Sequence, residues 1–311
     1  MTTPFSENMT EREFGALYER AVAAADGGTP ERAVELLEDL IVRRTVDVDV
    51  DDAQVIDLRM YLGRALWRCG LLEKGIAVLR SAWADAVRVT GPDTRLAFSC
   101  AGNLCRALAE NEEFEEAIDI ALDIYERRAE VFGELDNGTL NSLGHIAQIC
   151  FRAGLKEQAV DFTAEQLDRR TEAFGEHDER TETSRYNLEV MMSGLDFDES
   201  ALRAKLASYE DSHGEDSEAV LVLRAHIASG LERVGRLEDA LAERAIIERL
   251  RMEVHGEVAI PTLAAAAKRL HLVLRLGDTR AITQLQAVAI TVARIAGPDH
   301  PLVSYCTDLD Y

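Results

Sequence analysis

Four polar residues recur at one interval. Tyr61, Asn103, His145 and Asn187 are each 42 residues from the next, and His226 extends the row after a shortened step. Three residues beyond them stand Arg64, Arg106, Gln148 and, less regularly, Ser229, while Asn141 lies one helical turn before His145. An asparagine amide carries both a donor and an acceptor, so it can pair with the C=O and the N–H of one peptide unit. A row of such amides recognises extended backbone with little regard to its sequence. Arg64 and Arg106 add charge-assisted donors for a carboxylate. The chemistry is non-covalent recognition of a chain segment. A solvated polar row without any ligand is the alternative.

The elements that position this row have their own punctuation. Turn-like fragments place glycines at 91, 133, 175, 214, 256 and 297, at intervals of 42, 42, 39, 42 and 41 residues. A second ladder runs between them through Gly28, Gly70, Glu112 (the one rung without glycine), Gly154, Gly194, Gly235 and Gly277. Two interleaved ladders at one period mean two helices per unit, because the residue past a helix end often needs a positive φ. Between the rungs, apolar residues fall every three or four positions, as in Leu62, Leu66, Leu72, Ile76, Leu79 and Trp83. The pattern predicts an all-α chain of seven helix pairs near 10–46, 51–90, 93–132, 136–174, 178–212, 216–255 and 259–296. With no linker longer than a turn, residues 1–311 read as a single domain.

The small residue in the first helix of a pair (Gly63, Cys105, Ala147, Ala228), the glycine between helices and the second-helix runs "FEEA" 114–117, "KEQA" 156–159 and "LEDA" 237–240 resemble the tetratricopeptide repeat. The "GPDHP" turn with long helices resembles its kinesin-light-chain type, which is also common in bacteria. A HEAT or armadillo array fits the period too, but the matched small residues favour the tetratricopeptide form. The resemblance implies a right-handed superhelix with first helices on its concave wall. It also implies that Tyr61, Arg64, Asn103, Arg106, Asn141, His145, Gln148, Asn187 and His226 face that groove as peptide-binding residues.

Composition narrows the partner. The formal charge of −23, from 57 acidic and 34 basic residues, repels nucleic acid and anionic membranes. No apolar run approaches the ~18 residues of a membrane span, and no apolar leader is apparent at the N-terminus. The five cysteines, an odd number without a CxxC pair, fit a reducing, cytoplasmic setting. Thirty of the basic residues are arginine, a bias of GC-rich bacterial genes.

Other constellations dissolve on inspection. His177, His213, His255 and His300 belong to different turns, a repeat apart, and read as punctuation with no metal role. "DVDVDD" at 47–52 lacks the sixth-place glycine and twelfth-place glutamate of a calcium loop, so Asp51 or Asp52 reads as a helix cap. "ENEEFEEA" at 110–117 suits a helix N-terminus. Cys105 and Cys150 read as core thiols. No P-loop, GxGxxG, HExxH or GxSxG is present. The expectation is a non-enzymatic scaffold without cofactor that binds a protein or peptide in its groove. A peptide-responsive regulatory receptor and an accessory subunit of an enzyme complex are the alternatives. The closing "AGPDHPLVSY" predicts a short capping helix, with Leu302, Val303 and Tyr305 packed on the seventh pair, or else a stub on which a second copy stacks.

Overall fold

The computed structural model describes residues 10–26, 29–194 and 197–309. Among these, fifteen helices and no strands form: α1 Glu11–Asp26, α2 Pro30–Asp47, α3 Ala53–Arg68, α4 Leu72–Thr90, α5 Arg95–Glu110, α6 Phe114–Phe132, α7 Asn137–Arg152, α8 Lys156–Phe174, α9 Glu179–Ser193, α10 Glu199–His213, α11 Glu218–Arg233, α12 Leu237–His255, α13 Ile260–Arg275, α14 Arg280–Ala296 and α15 Pro301–Thr307. Seven pairs and a short fifteenth helix bear out the repeat reading.

Local chemistry sets the helix limits. Asp52, Thr94, Asp136, Asp178 and Ser217 cap α3, α5, α7, α9 and α11, each accepting from a backbone N–H of the first turn. Asp51 instead meets Arg88 at the end of α4. Every glycine of the first ladder has φ between +85° and +95°. On the second ladder, Glu112 adopts φ +63°, so the backbone keeps the left-handed turn where the sequence has lost its glycine. Gly194 departs in the opposite sense, with φ −82°. There the shortened fifth unit ends its first helix without the left-handed turn. Gly28 lies outside the described residues.

The chain divides into two compact units, residues 1–162 and 163–311, with the boundary inside α8. In the first unit each helix packs on the next, and the first helices of the pairs also touch one another, α1 with α3, α3 with α5 and α5 with α7. One wall of this unit is thus built from first helices. Small residues allow the close approach. A Cβ on Gly63 would sit 2.7 Å from Leu79 Cγ, and one on Gly75 2.8 Å from the Gly63 carbonyl. Leu79, Leu104, Leu143 and Ile146 are wholly buried, each contributing about 1.5–3 kcal/mol of transfer free energy.

In the second unit α9 and α11 touch, α12 packs on α13, and α15 closes over α13 and α14. Cys306 is fully buried against Ala267, Leu270, Ala281 and Leu285, with Leu302, Val303 and Leu309 beside it. Tyr305 does not join this cap. It is 44% exposed, because on a seven-residue helix only the face shared by 302, 303 and 306 meets the core. Its ring lies 4.6 Å from that of His271 instead. All five cysteines are free thiols. Burial pushes Cys100 and Cys105 up to about 12, as core thiols rather than nucleophiles.

Candidate functional site

The polar row has a structural register. Tyr61, Asn103, His145, Asn187 and His226 are each the ninth residue of their helices, α3, α5, α7, α9 and α11. The ninth residue of α13 is Lys268, which the sequence reading passed over. The recurring amide and imidazole types end there, but one more step of 42 residues from His226 leads to it.

In the first unit a cleft of about 210 Å³ opens between α5, α6 and α7. Four of the nine expected residues converge on it: Asn103, Arg106, Asn141 and His145. Arg128 on α6, with Ser99, Ser142 and the ring of Phe98, completes the wall, and no acidic residue lines it. In a chain of net charge −23, this makes the cleft a local cationic recess.

Asn103 is half-buried. Its Nδ2 donates to the Ser99 carbonyl one turn back at 2.9 Å, while its Oδ1 is shielded from water and accepts from none of the described residues. A buried acceptor left without a donor costs about 1–3 kcal/mol. Arg128 donates to the Gly138 carbonyl at 2.7 Å and lies over the Phe98 ring at 5.2 Å. Gly138 makes room for it, since a Cβ there would stand 2.7 Å from the guanidinium. Burial lowers the Arg128 pKa, against the pull of Asp136, yet leaves it cationic at neutral pH. No sequence pattern marked Arg128, because it belongs to a second helix.

The remaining expected residues stand elsewhere. Arg64 lies over the Tyr61 ring at 4.9 Å, and Tyr61 meets Tyr18 edge-on at 6.0 Å. Tyr18 donates to Asp57 at 2.5 Å, fixing that cluster between α1 and α3. Arg106 keeps its place in the cleft with its guanidinium 5.5 Å from the Trp67 ring. Gln148 is exposed and lines no part of the cleft. In the second unit Asn187 and His226 are half-buried. The His226 Nε2 is buried without a hydrogen-bond partner among the described residues, and desolvation, reinforced by Arg233, lowers its pKa.

One cluster in the second unit changes the reading of the turn histidines. His255 Nε2 lies 2.9 Å from Glu176, and Arg251 bridges Glu176 to Glu218, which Arg185 also contacts. Glu176, Glu218 and His255 bring their ligand atoms within 4.8 Å of one another. Histidines of different turns do stand apart, but His255 finds carboxylates from two other turns. Burial alone would raise the Glu218 pKa; Arg251 and Arg185 outweigh it and hold the carboxylate ionised. Both carboxylates thus already face a cation supplied by the chain, which makes the cluster an ion network joining three turns.

No family model matches the sequence, and no curated protein matches it. Several solved helical-repeat proteins are similar in structure. A putative kinesin light chain with nearly identical TPR-like repeats from Podosopora anserina is 14% identical, over 78% of this chain and 96% of that one, at a TM-score of 0.47. BtubC (BKLC) from P. vanneervenii is 15% identical over 85% and 93%, at 0.44. A tetratricopeptide repeat protein from Parabacteroides merdae is 15% identical over 96% and 98%, at 0.38.

Proposed function

We propose that the chain is a non-enzymatic interaction scaffold that holds a peptide or a disordered protein segment against the first helices of its pairs. The observation that carries this reading is the cleft between α5 and α7. It joins an unpartnered amide oxygen on Asn103 to Arg106 and Arg128, with no carboxylate among its lining residues. A peptide offers what such a wall lacks. Its N–H groups can satisfy Asn103 once the amide turns outward, and its carbonyls or acidic side chains can meet the arginines.

The same charge logic sets the partner's class. Long-range repulsion by a −23 chain disfavours nucleic acid, and no described helix is long and apolar enough to cross a membrane. The proposed setting is cytoplasmic. Self-association through the last pair would require α15 to leave its place over Leu270 and Leu285.

Selection from a random peptide display library on the immobilised protein tests the reading. Enriched peptides that lose binding to the Asn103→Ala and His145→Ala variants support it. Enrichment that survives both replacements equally, or no enrichment at all, contradicts it.

A further inference from the structure

The ion network of the second unit is built around a single nitrogen. Glu176 sits in the turn between α8 and α9, Glu218 opens α11 and His255 ends α12. Gly175 before Glu176 and Gly256 after His255 have φ of +87° and +85°, so left-handed turns set the course of the chain at both residues. Arg251 Nη1 lies 3.2 Å from Glu176 Oε1 and 3.3 Å from His255 Nε2, and it also donates to Glu218 Oε1. Two carboxylate oxygens and an imidazole nitrogen thus surround one charged atom, as they would a cation. Arg185 holds the same two glutamates independently. Its Nε donates to Glu218 Oε2 at 2.9 Å, and its Nη2 donates to the Glu176 carbonyl at 3.3 Å. If Arg251 withdraws, Glu218 keeps that bond on Oε2 and frees Oε1.

We propose that Glu176, Glu218 and His255 bind a divalent transition-metal ion such as zinc, which takes the place of the Arg251 guanidinium. One imidazole nitrogen and two carboxylate oxygens, with water as a fourth ligand, suit zinc, and the nitrogen disfavours calcium and magnesium. The three ligand atoms lie within 4.8 Å of one another. Zinc–ligand bonds of about 2.1 Å need them roughly 3.4 Å apart, an inward movement of about 1 Å. Glu176 and His255 are only partly buried, unlike Glu218, so the ion enters and the ligands adjust from their side. Arg185 provides the outer contact that keeps Glu218 in place. The guanidinium is a built-in competitor. It neutralises the carboxylates while no ion is bound and turns outward when one is. The site draws on three turns and on none of the polar row, so it does not depend on the peptide reading.

Calorimetric titration of the EDTA-treated 311-residue chain with zinc, and separately with calcium, tests the assignment. The parent is expected to bind one zinc ion per chain, and His255→Ala to weaken that binding by more than about tenfold. Arg251→Met removes the competitor and should bind zinc about tenfold more tightly than the parent. The same variant leaves the two carboxylates with Arg185 alone. It should therefore melt below the parent without metal and recover with zinc, because an ion held only by the folded chain raises the melting temperature. His177→Ala, next to Glu176 but exposed, should bind as the parent does. If His255→Ala fails to fold, the parent's own melting temperature carries the test, rising with zinc and not with calcium. No zinc bound by the parent, equal affinity for calcium, affinity unchanged in His255→Ala, or zinc bound no more tightly by Arg251→Met would overturn the proposal.

Discussion

Asn103 and Ser99, one turn apart on α5, are joined by a hydrogen bond of 2.9 Å from the Asn103 amide to the Ser99 carbonyl. This back-bond directs the amide along its own helix and leaves Oδ1 without a donor at the cleft wall. The amide therefore contributes little to the fold, since the unmet acceptor offsets the bond that is made. Asn103→Ala should leave the urea midpoint nearly unchanged, within about 0.5 kcal/mol. A loss above about 2 kcal/mol would show that the amide is structural.

Glu112 offers a test of the turn ladder. Its φ of +63° costs an L-residue about 1–2 kcal/mol, a strain that glycine does not carry. Part of that gain is lost to the greater freedom of glycine in the unfolded chain. Glu112→Gly should raise stability by about 0.5–1 kcal/mol, read as a higher denaturation midpoint at constant slope. An unchanged or lower midpoint would contradict the left-handed assignment.

Gly230 on α11 faces the ring of Phe197, and a Cβ there would sit 2.0 Å from the ring carbons. Alanine is the better helix former by about 1 kcal/mol, but the ring must leave its seat. Gly230→Ala should therefore destabilise by about 1–3 kcal/mol. A variant that melts at or above the parent would show that the loop before α10 yields freely.

Asp168 links α8 to the start of α11, accepting from the Ala219 N–H at 3.0 Å, while its second oxygen is buried without a hydrogen bond. Burial holds its carboxyl up to about 6 against an ordinary 3.8, with Glu218 adding to the rise and Ala219, His213 and Ser217 opposing it. A raised folded pKa means that the fold favours the protonated acid. Its contribution is fully present below pH 4 and is lost as pH climbs through 6. Asp168→Asn keeps the accepting oxygen and removes the charge. It should be more stable than the parent at pH 7.5 by on the order of 2 kcal/mol, with the gap closing towards pH 4. A gap that is constant with pH would refute the shift.

The period was legible because each rung is a local event, a helix end that needs a left-handed residue. Even the lost rung at Glu112 kept its place, since the backbone geometry outlasted the glycine. The polar row was legible for the same reason, but its surroundings were not. Arg128 lies on a second helix and reaches the cleft only through the space above Gly138. Lys268 kept the register while changing its chemistry, so a search by residue type missed it. The partners of His255 come from turns 37 and 79 residues earlier, at Glu218 and Glu176, separations that no local pattern encodes. Tyr305 was assigned to the cap from its apolar neighbours, whereas the helix face decided for Cys306.

The central claim is that the α5–α7 cleft binds peptide. Its most direct measurement is fluorescence anisotropy of one library-selected peptide titrated with the parent, Asn103→Ala and His145→Ala proteins, each first shown to melt like the parent. Loss of affinity by about five- to tenfold in each variant, about 1–1.4 kcal/mol per contact, is the expected result. Affinities within twofold of the parent in both variants would contradict it.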